Sequence, residues 1–170
     1  MKKETYLYFA KKIAQLPHGA LLVNIVGKCL TYLTAFSYLS VLLFLLFEKR
    51  YVEGAVLLFV PMVTFFLVSL FRSSYGAKRP YEIYDIEPLI KKDTVKKSFP
   101  SRHVFSIYVI GTSLCFFSLP LGIAICAAGL ILAVIRVVTA VHFPKDVICG
   151  AVLGVLSGCM VKVVLAVFGG

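Results

Sequence analysis

His142 and Asp146 stand four residues apart with Pro144 between them, six residues beyond Arg136. Proline suits the first turn of a helix, so Pro144 is expected to open one and to place Asp146 in that turn. A carboxylate there can accept a hydrogen bond from one ring nitrogen of His142. That fixes the tautomer and leaves the other nitrogen to attack an electrophile. A salt-bridged histidine in a loop would have the same spacing. A second cluster reads Phe99-Pro100-Ser101-Arg102-His103. If Pro100 opens a helix, the backbone N–H groups from Ser101 onward are free, and a helix start of this kind binds phosphate, helped by the serine hydroxyl and the helix dipole. An ordinary proline-led helix start is the plainer alternative. Arg72-x6-Arg79-Pro80 adds two guanidinium groups, planar forks matched to phosphate oxygens. Arginines flanking membrane segments are common, so this motif means little by itself.

The elements that must position these residues are apolar. Of 170 residues, 60% are hydrophobic, and the mean hydropathy is +0.94. A soluble fold would leave much of that surface in water, whereas a bilayer accepts it. Cys29 to Phe47 is free of charge and about as long as a bilayer core demands. Gly54 to Phe71 is a second apolar run, with Pro61 inside it, where membrane helices tolerate a kink if neighbours satisfy the freed carbonyl. Val104 to Ile135 holds no charge and would overshoot the membrane as one helix, so it is split near Pro120 into an antiparallel pair. The last run carries Gly150, Gly154 and Gly158 on one face, a small-residue stripe suited to close helix packing.

The expectation is an all-α, polytopic membrane helical bundle forming a single domain over 1–170. It has about five transmembrane helices, near 29–47, 54–71, 100–118, 120–139 and 144–168. Residues 4–16 alternate apolar side chains with Lys11, Lys12 and Gln15 at helical period, and read as an N-terminal amphipathic helix in the interface. A sixth span over 5–27 would have to accommodate Lys11 and Lys12. Lys11, Lys12 and Gln15 also interrupt any signal-peptide core. Residues 72–99, the long polar stretch with Lys91, Lys92, Lys96 and Lys97, read as an active-site loop. With five spans, all three polar clusters fall on one membrane face, which makes them a functional site by default.

The net charge of +10 suits an anionic substrate or membrane surface. Its confinement to short segments between apolar runs argues against a nucleic-acid groove. The five cysteines lie in apolar stretches, without metal or disulfide spacing, and read as packing residues. No cluster of carboxylates suits magnesium, so neither a metal nor another cofactor is expected.

Together the three motifs resemble those of the type 2 phosphatidic acid phosphatase superfamily, which includes the lipid phosphate phosphatases. That pattern is Lys-x6-Arg-Pro, then Pro-Ser-Gly-His, then Ser-Arg-x5-His-x3-Asp, and the likeness runs from about residue 50 onward. Arg72 replaces the lysine, Arg102 the glycine and Ile135 the serine before Arg136. The resemblance implies metal-independent hydrolysis of a phosphate from a membrane lipid through a phosphohistidine. His142 would attack, Asp146 orient it and His103 protonate the leaving group. Arg72, Arg79, Arg136, Ser101 and the Arg102 amide would hold the phosphate oxygens. A polyprenyl diphosphate, phosphatidylglycerophosphate and phosphatidic acid are all open as substrates, and Arg102 bears on the choice among them. The resemblance implies a site on the outer face of the plasma membrane, whereas the lysine-rich face that bears the site points inward. A non-catalytic scaffold or transporter of the same fold is the alternative from another class; the complete motifs argue against it, since a scaffold has no use for both histidines and the aspartate.

Overall fold

The computed structural model describes residues 1–90 and 95–168, and among them the only regular secondary structure is helical. The helices are α1 (Lys3–Ala14), α2 (Gly19–Phe47), α3 (Tyr51–Tyr75), α4 (Pro80–Tyr84), α5 (Arg102–Leu114), α6 (Leu119–Val138) and α7 (Pro144–Phe168). Four segments, Gly19–Phe47, Tyr51–Tyr84, Leu119–Val138 and Pro144–Phe168, are long and apolar enough to cross a bilayer. Large apolar side chains such as Phe36, Phe66, Leu130 and Leu156 point outward from them. A helix that is apolar all round belongs in the core of a protein or in lipid.

The expected span over 100–118 is a shorter element. α5 has 13 residues and is about 20 Å long, against roughly 30 Å of hydrocarbon. Residues 115–117 turn, and Pro120 restarts the chain in the first turn of α6. α5 is instead the axis of the bundle. It packs most extensively on α7, then on α6, and also touches α2 and α3. Val104, Phe105, Ile107, Val109 and Leu114 along it are buried. The main apolar cluster joins Leu45 of α2, Leu57 of α3, Ile107 and Leu114 of α5, and Ile125 and Leu132 of α6.

α7 approaches α5 closely because of its glycine stripe. A Cβ on Gly150 would stand 2.7 Å from the Ser101 carbonyl oxygen, and one on Gly154 would stand 2.7 Å from the Phe105 carbonyl oxygen. The small residues therefore set the depth at which α7 docks, and with it the place of Asp146 in the first turn of α7. Pro61 interrupts α3 and frees the carbonyl of Leu57, which accepts the Tyr38 hydroxyl of α2 at 2.8 Å. That is the neighbourly satisfaction that a membrane proline needs.

α2 starts ten residues before the charge-free run. Lys28 stays within it with its side chain exposed, as a long cationic side chain can on a membrane helix. The chain breaks between Ala14 and Gly19, so 5–27 is not one continuous helix. α1 docks through Tyr6, fully buried, whose ring lies 5.9 Å from that of Tyr84 and 6.2 Å from that of Phe143. The expected loop 72–99 holds the last turn of α3, the short α4, and an irregular segment. Lys91 and Lys92 fall outside the described residues.

Candidate active site

The α6–α7 connection, 139–143, carries His142. Ala140 takes a left-handed conformation there, with φ +57°, and the His142 N–H donates to the Arg136 carbonyl at 3.0 Å. The turn folds back on the end of α6 and points the imidazole inward, where His142 is only 2% exposed. Its Nδ1 lies 3.5 Å from Oδ2 of Asp146. The same Oδ2 accepts the Phe143 N–H at 3.0 Å and the hydroxyl of Ser98. Ser98 Oγ is also 3.4 Å from His142 Nδ1. A carboxylate facing Nδ1 favours the tautomer with its proton on that nitrogen, leaving the Nε2 lone pair available. Burial pushes the His142 pKa down to about 4, with help from the charges of Arg79 and Arg72 and against the pull of Asp146. The ring is therefore neutral near pH 7, the form a nucleophile needs.

Arginines surround this pair. Arg72, Arg79 and Arg136 are 5%, 2% and 6% exposed. Arg79 Nη1 donates to the Val141 carbonyl at 3.3 Å, which ties α4 to the histidine loop. The Arg79 N–H donates to Glu82 Oε2 at 2.7 Å, and Glu82 Oε1 accepts the Lys96 N–H at 3.1 Å. Arg72 does more structural work than its motif suggests. Nη1 donates to the Pro100 carbonyl at 2.6 Å and the Ser98 carbonyl at 3.3 Å, and Nη2 to that of Lys97. It pins the segment that carries Ser98 and leaves only Nε without a partner.

α5 begins with Ser101 as its N-cap residue, after the cis Phe99–Pro100 bond. The expectation of a free amide at Ser101 is corrected here. That N–H donates to the Asp146 carbonyl at 3.0 Å, because the glycine face of α7 brings the two helix starts together. The Arg102 amide, one position on, is the first N–H inside α5 and has no intrahelical acceptor. The Ser101 hydroxyl is fully buried without a partner, as are Arg72 Nε, Arg136 Nε and Asp146 Oδ1. Buried polar atoms are nearly always paired, so a cluster of orphans is the mark of a site awaiting a ligand. Three of these four are donors, which suits an anion with several oxygens.

Direct contacts thus link Arg72, Ser98, Ser101, Arg136, His142 and Asp146, with Arg79 joined through Val141. Arg102 and His103 are half-buried and line a cavity between α2, α3 and α5. Ser98 is the residue that sequence reasoning missed. Its only signal is a hydroxyl two positions before Pro100, and nothing local tells it from a loop serine. Among the described residues no three His, Cys, Asp or Glu side chains group as metal ligands.

The profile of the PAP2 superfamily matches residues 53–168. Two solved structures share the fold. The first is described as the first transmembrane PAP2 type phosphatidylglycerolphosphate phosphatase from Bacillus subtilis. It is 19% identical, with a TM-score of 0.70 over 97% of this chain and 86% of that one. LpxE from Aquifex aeolicus is 22% identical, with a TM-score of 0.68 over 91% of this chain and 92% of the other. No curated protein sequence matches the chain.

Proposed function

This chain belongs to the PAP2 superfamily, and on that footing we propose that it removes a phosphate from a membrane lipid through a covalent phosphohistidine, without a metal ion. The observation that carries the reading is the buried His142–Asp146 pair beside three orphaned donors, Ser101 Oγ, Arg72 Nε and Arg136 Nε. Nε2 of His142 forms a bond to phosphorus as the bond to the leaving oxygen breaks. Asp146 stabilises the positive charge that spreads to Nδ1, and His103 gives the leaving oxygen its proton. Water then cleaves the phosphorus–nitrogen bond, with His103 taking up a proton in return. Arg72, Arg79, Arg136, Ser101 and the Arg102 amide compensate the phosphoryl charge, where most of the catalysis of phosphoryl transfer lies. The substrates in view are a polyprenyl diphosphate, phosphatidylglycerophosphate and phosphatidic acid, in keeping with a phosphatidylglycerolphosphate phosphatase among the fold's solved members. The expected setting is the plasma membrane, with the site on its outer face.

The test is to mix detergent-purified protein with lipid substrate labelled in the phosphate, in the presence of EDTA, and to quench with alkali. Label should appear on the wild type and be absent from His142→Ala. Turnover in that variant should fall at least a hundredfold, about 2.7 kcal/mol of barrier. Retention of more than a few per cent of wild-type turnover would refute the nucleophile, and loss of wild-type turnover in EDTA would refute the metal-free route.

A further inference from the structure

A furrow leads away from the phosphate site along the seam between α2, α3 and α5. Its upper part, about 310 Å³, is walled by Thr34 and Ala35 of α2, Phe65 of α3 and Ile110 of α5, with Arg102 and His103 at its head. A lower compartment of about 220 Å³ shares Phe65, Ser106 and Ile110 and is lined further by Tyr38, Leu58 and Pro61. Residue numbers rise away from the site on α2 and α5 and fall on α3, so the two compartments lie end to end. From Arg102 to Ile110 the furrow descends about 12 Å at the helical rise. Below Arg102 and His103 its walls are mostly apolar, with Thr31, Thr34 and Ser106 among them, and ligand pockets begin at about this size.

The head of the furrow carries a charge that the fold itself opposes. Arg102 is the first residue of α5, where the partial positive charge of a helix start disfavours a cation. It also repels Arg72 and Arg79. Among the described residues no carboxylate lies within ion-pair distance of it. Its guanidinium lies over the face of Phe65, with the guanidinium carbon 5.8 Å from the ring centroid. Such stacking holds the group over the mouth of the furrow while leaving its N–H edge open. Glycine would meet every backbone need at this position, so the side chain calls for a separate reason.

We propose that Arg102 is a specificity-determining residue that holds the phosphate nearest the hydrocarbon chain, so that the preferred substrate is a lipid diphosphate. The chain lies in the α2–α3–α5 furrow, the proximal phosphate meets Arg102, and the outer phosphate enters the arginine pocket against His142. This rests on the phosphatase reading above and narrows it. The outer phosphorus gains its bond to His142 Nε2 and loses its bond to the bridging oxygen. The electron pair of the broken bond stays on the departing lipid monophosphate, His103 supplies any proton it takes, and water later releases inorganic phosphate. Arg102 therefore acts on the leaving group, whose negative charge grows in the transition state. A monoester has no phosphate to place there.

Farnesyl diphosphate and farnesyl monophosphate carry the same chain and differ in that one group. With both in detergent micelles, kcat/KM is to be measured for wild type, Arg102→Gly and Arg102→Gln. The readout is the ratio of diphosphate to monophosphate activity, which a defect in folding or packing lowers for both substrates alike. The ratio should fall about tenfold or more in either variant, the scale of losing a charged hydrogen bond. A ratio that stays within twofold of wild type in a variant that retains activity would overturn the role of Arg102 and leave the phosphatase reading intact. A wild type that releases phosphate from phosphatidic acid but not from farnesyl diphosphate would overturn the diphosphate preference alone, and a wild type inactive on all three lipids would overturn the phosphatase reading with it.

Discussion

Ser98→Ala removes one hydroxyl from the contact between Asp146 and His142 and takes away no group assigned to the phosphate itself. Ser98 is fully buried, donates to Asp146 Oδ2 and lies 3.4 Å from His142 Nδ1. A hydrogen bond to an ionised group contributes about 1.5–3 kcal/mol, which corresponds to a roughly 10- to 150-fold change in rate. Asp146 keeps the Phe143 N–H, so the carboxylate stays in place and the lower end of that range applies. The loss should appear in kcat with KM little changed, because the hydroxyl steadies the attacking pair and binds no phosphate. A double-mutant cycle isolates the effect. Once Asp146→Ala has removed the acceptor, adding Ser98→Ala should lower kcat by less than about twofold. Steady-state release of inorganic phosphate from a lipid monoester, with thermal midpoints for all four proteins, provides the measurement. Independent, multiplicative losses in the two variants, or a loss confined to KM, would refute the coupling.

Two further outcomes follow from the same geometry. With its pKa held near 4, His142 remains neutral well below the ordinary histidine value of 6.5, so its contribution to the acid limb of kcat/KM, which reports the free enzyme, should appear below about pH 5. Between about pH 6.5 and 4 the unfolded chain binds a proton that the buried ring refuses. The folded protein therefore loses stability as pH falls through that window, and His142→Gln should flatten this part of a profile of thermal midpoint against pH. Gly154→Leu forces a side chain against the Phe105 carbonyl and the Tyr108 Cβ, both 2.7 Å from the first added carbon. It should lower stability by about 1–3 kcal/mol or more, seen as a lower thermal midpoint in detergent, and reduce kcat because Asp146 rides on the same helix.

The convergence of Arg72, Ser101, Arg136, His142 and Asp146 was legible because each stands at the end of an apolar run, and lipid requires the ends of such runs to meet at a common depth. Pro144 and the glycine stripe were equally plain, since their backbone consequences are local. Other features depend on tertiary detail. The length of α5 was hidden because an unbroken run of apolar residues does not distinguish a helix facing lipid from one enclosed by other helices. The Ser101 amide was misread as open because its partner, the Asp146 carbonyl, is forty-five positions away and arrives only when α7 docks. Arg72 looked like a phosphate ligand alone, yet three of its hydrogen bonds hold the loop from Lys97 to Pro100. Nothing in the chain marks α1 as a partner of the loop that carries His142, although the Tyr6 ring rests on Phe143.

Arg72 lies twenty-one residues along α3 from Tyr51, about 32 Å at the helical rise and close to the thickness of a bilayer's hydrocarbon. The guanidinium pocket would therefore stand level with the headgroups of one leaflet, neither deep in the oil nor out in the water. A lipid phosphate at that level need not leave its own plane to be attacked. Encounter becomes a problem in two dimensions, with lateral drift bringing the headgroup to the furrow while the chain stays in oil. The concentration that governs turnover is then the mole fraction of substrate among its neighbouring lipids, and diluting the surface with inert lipid slows the enzyme even when the amount per millilitre is unchanged.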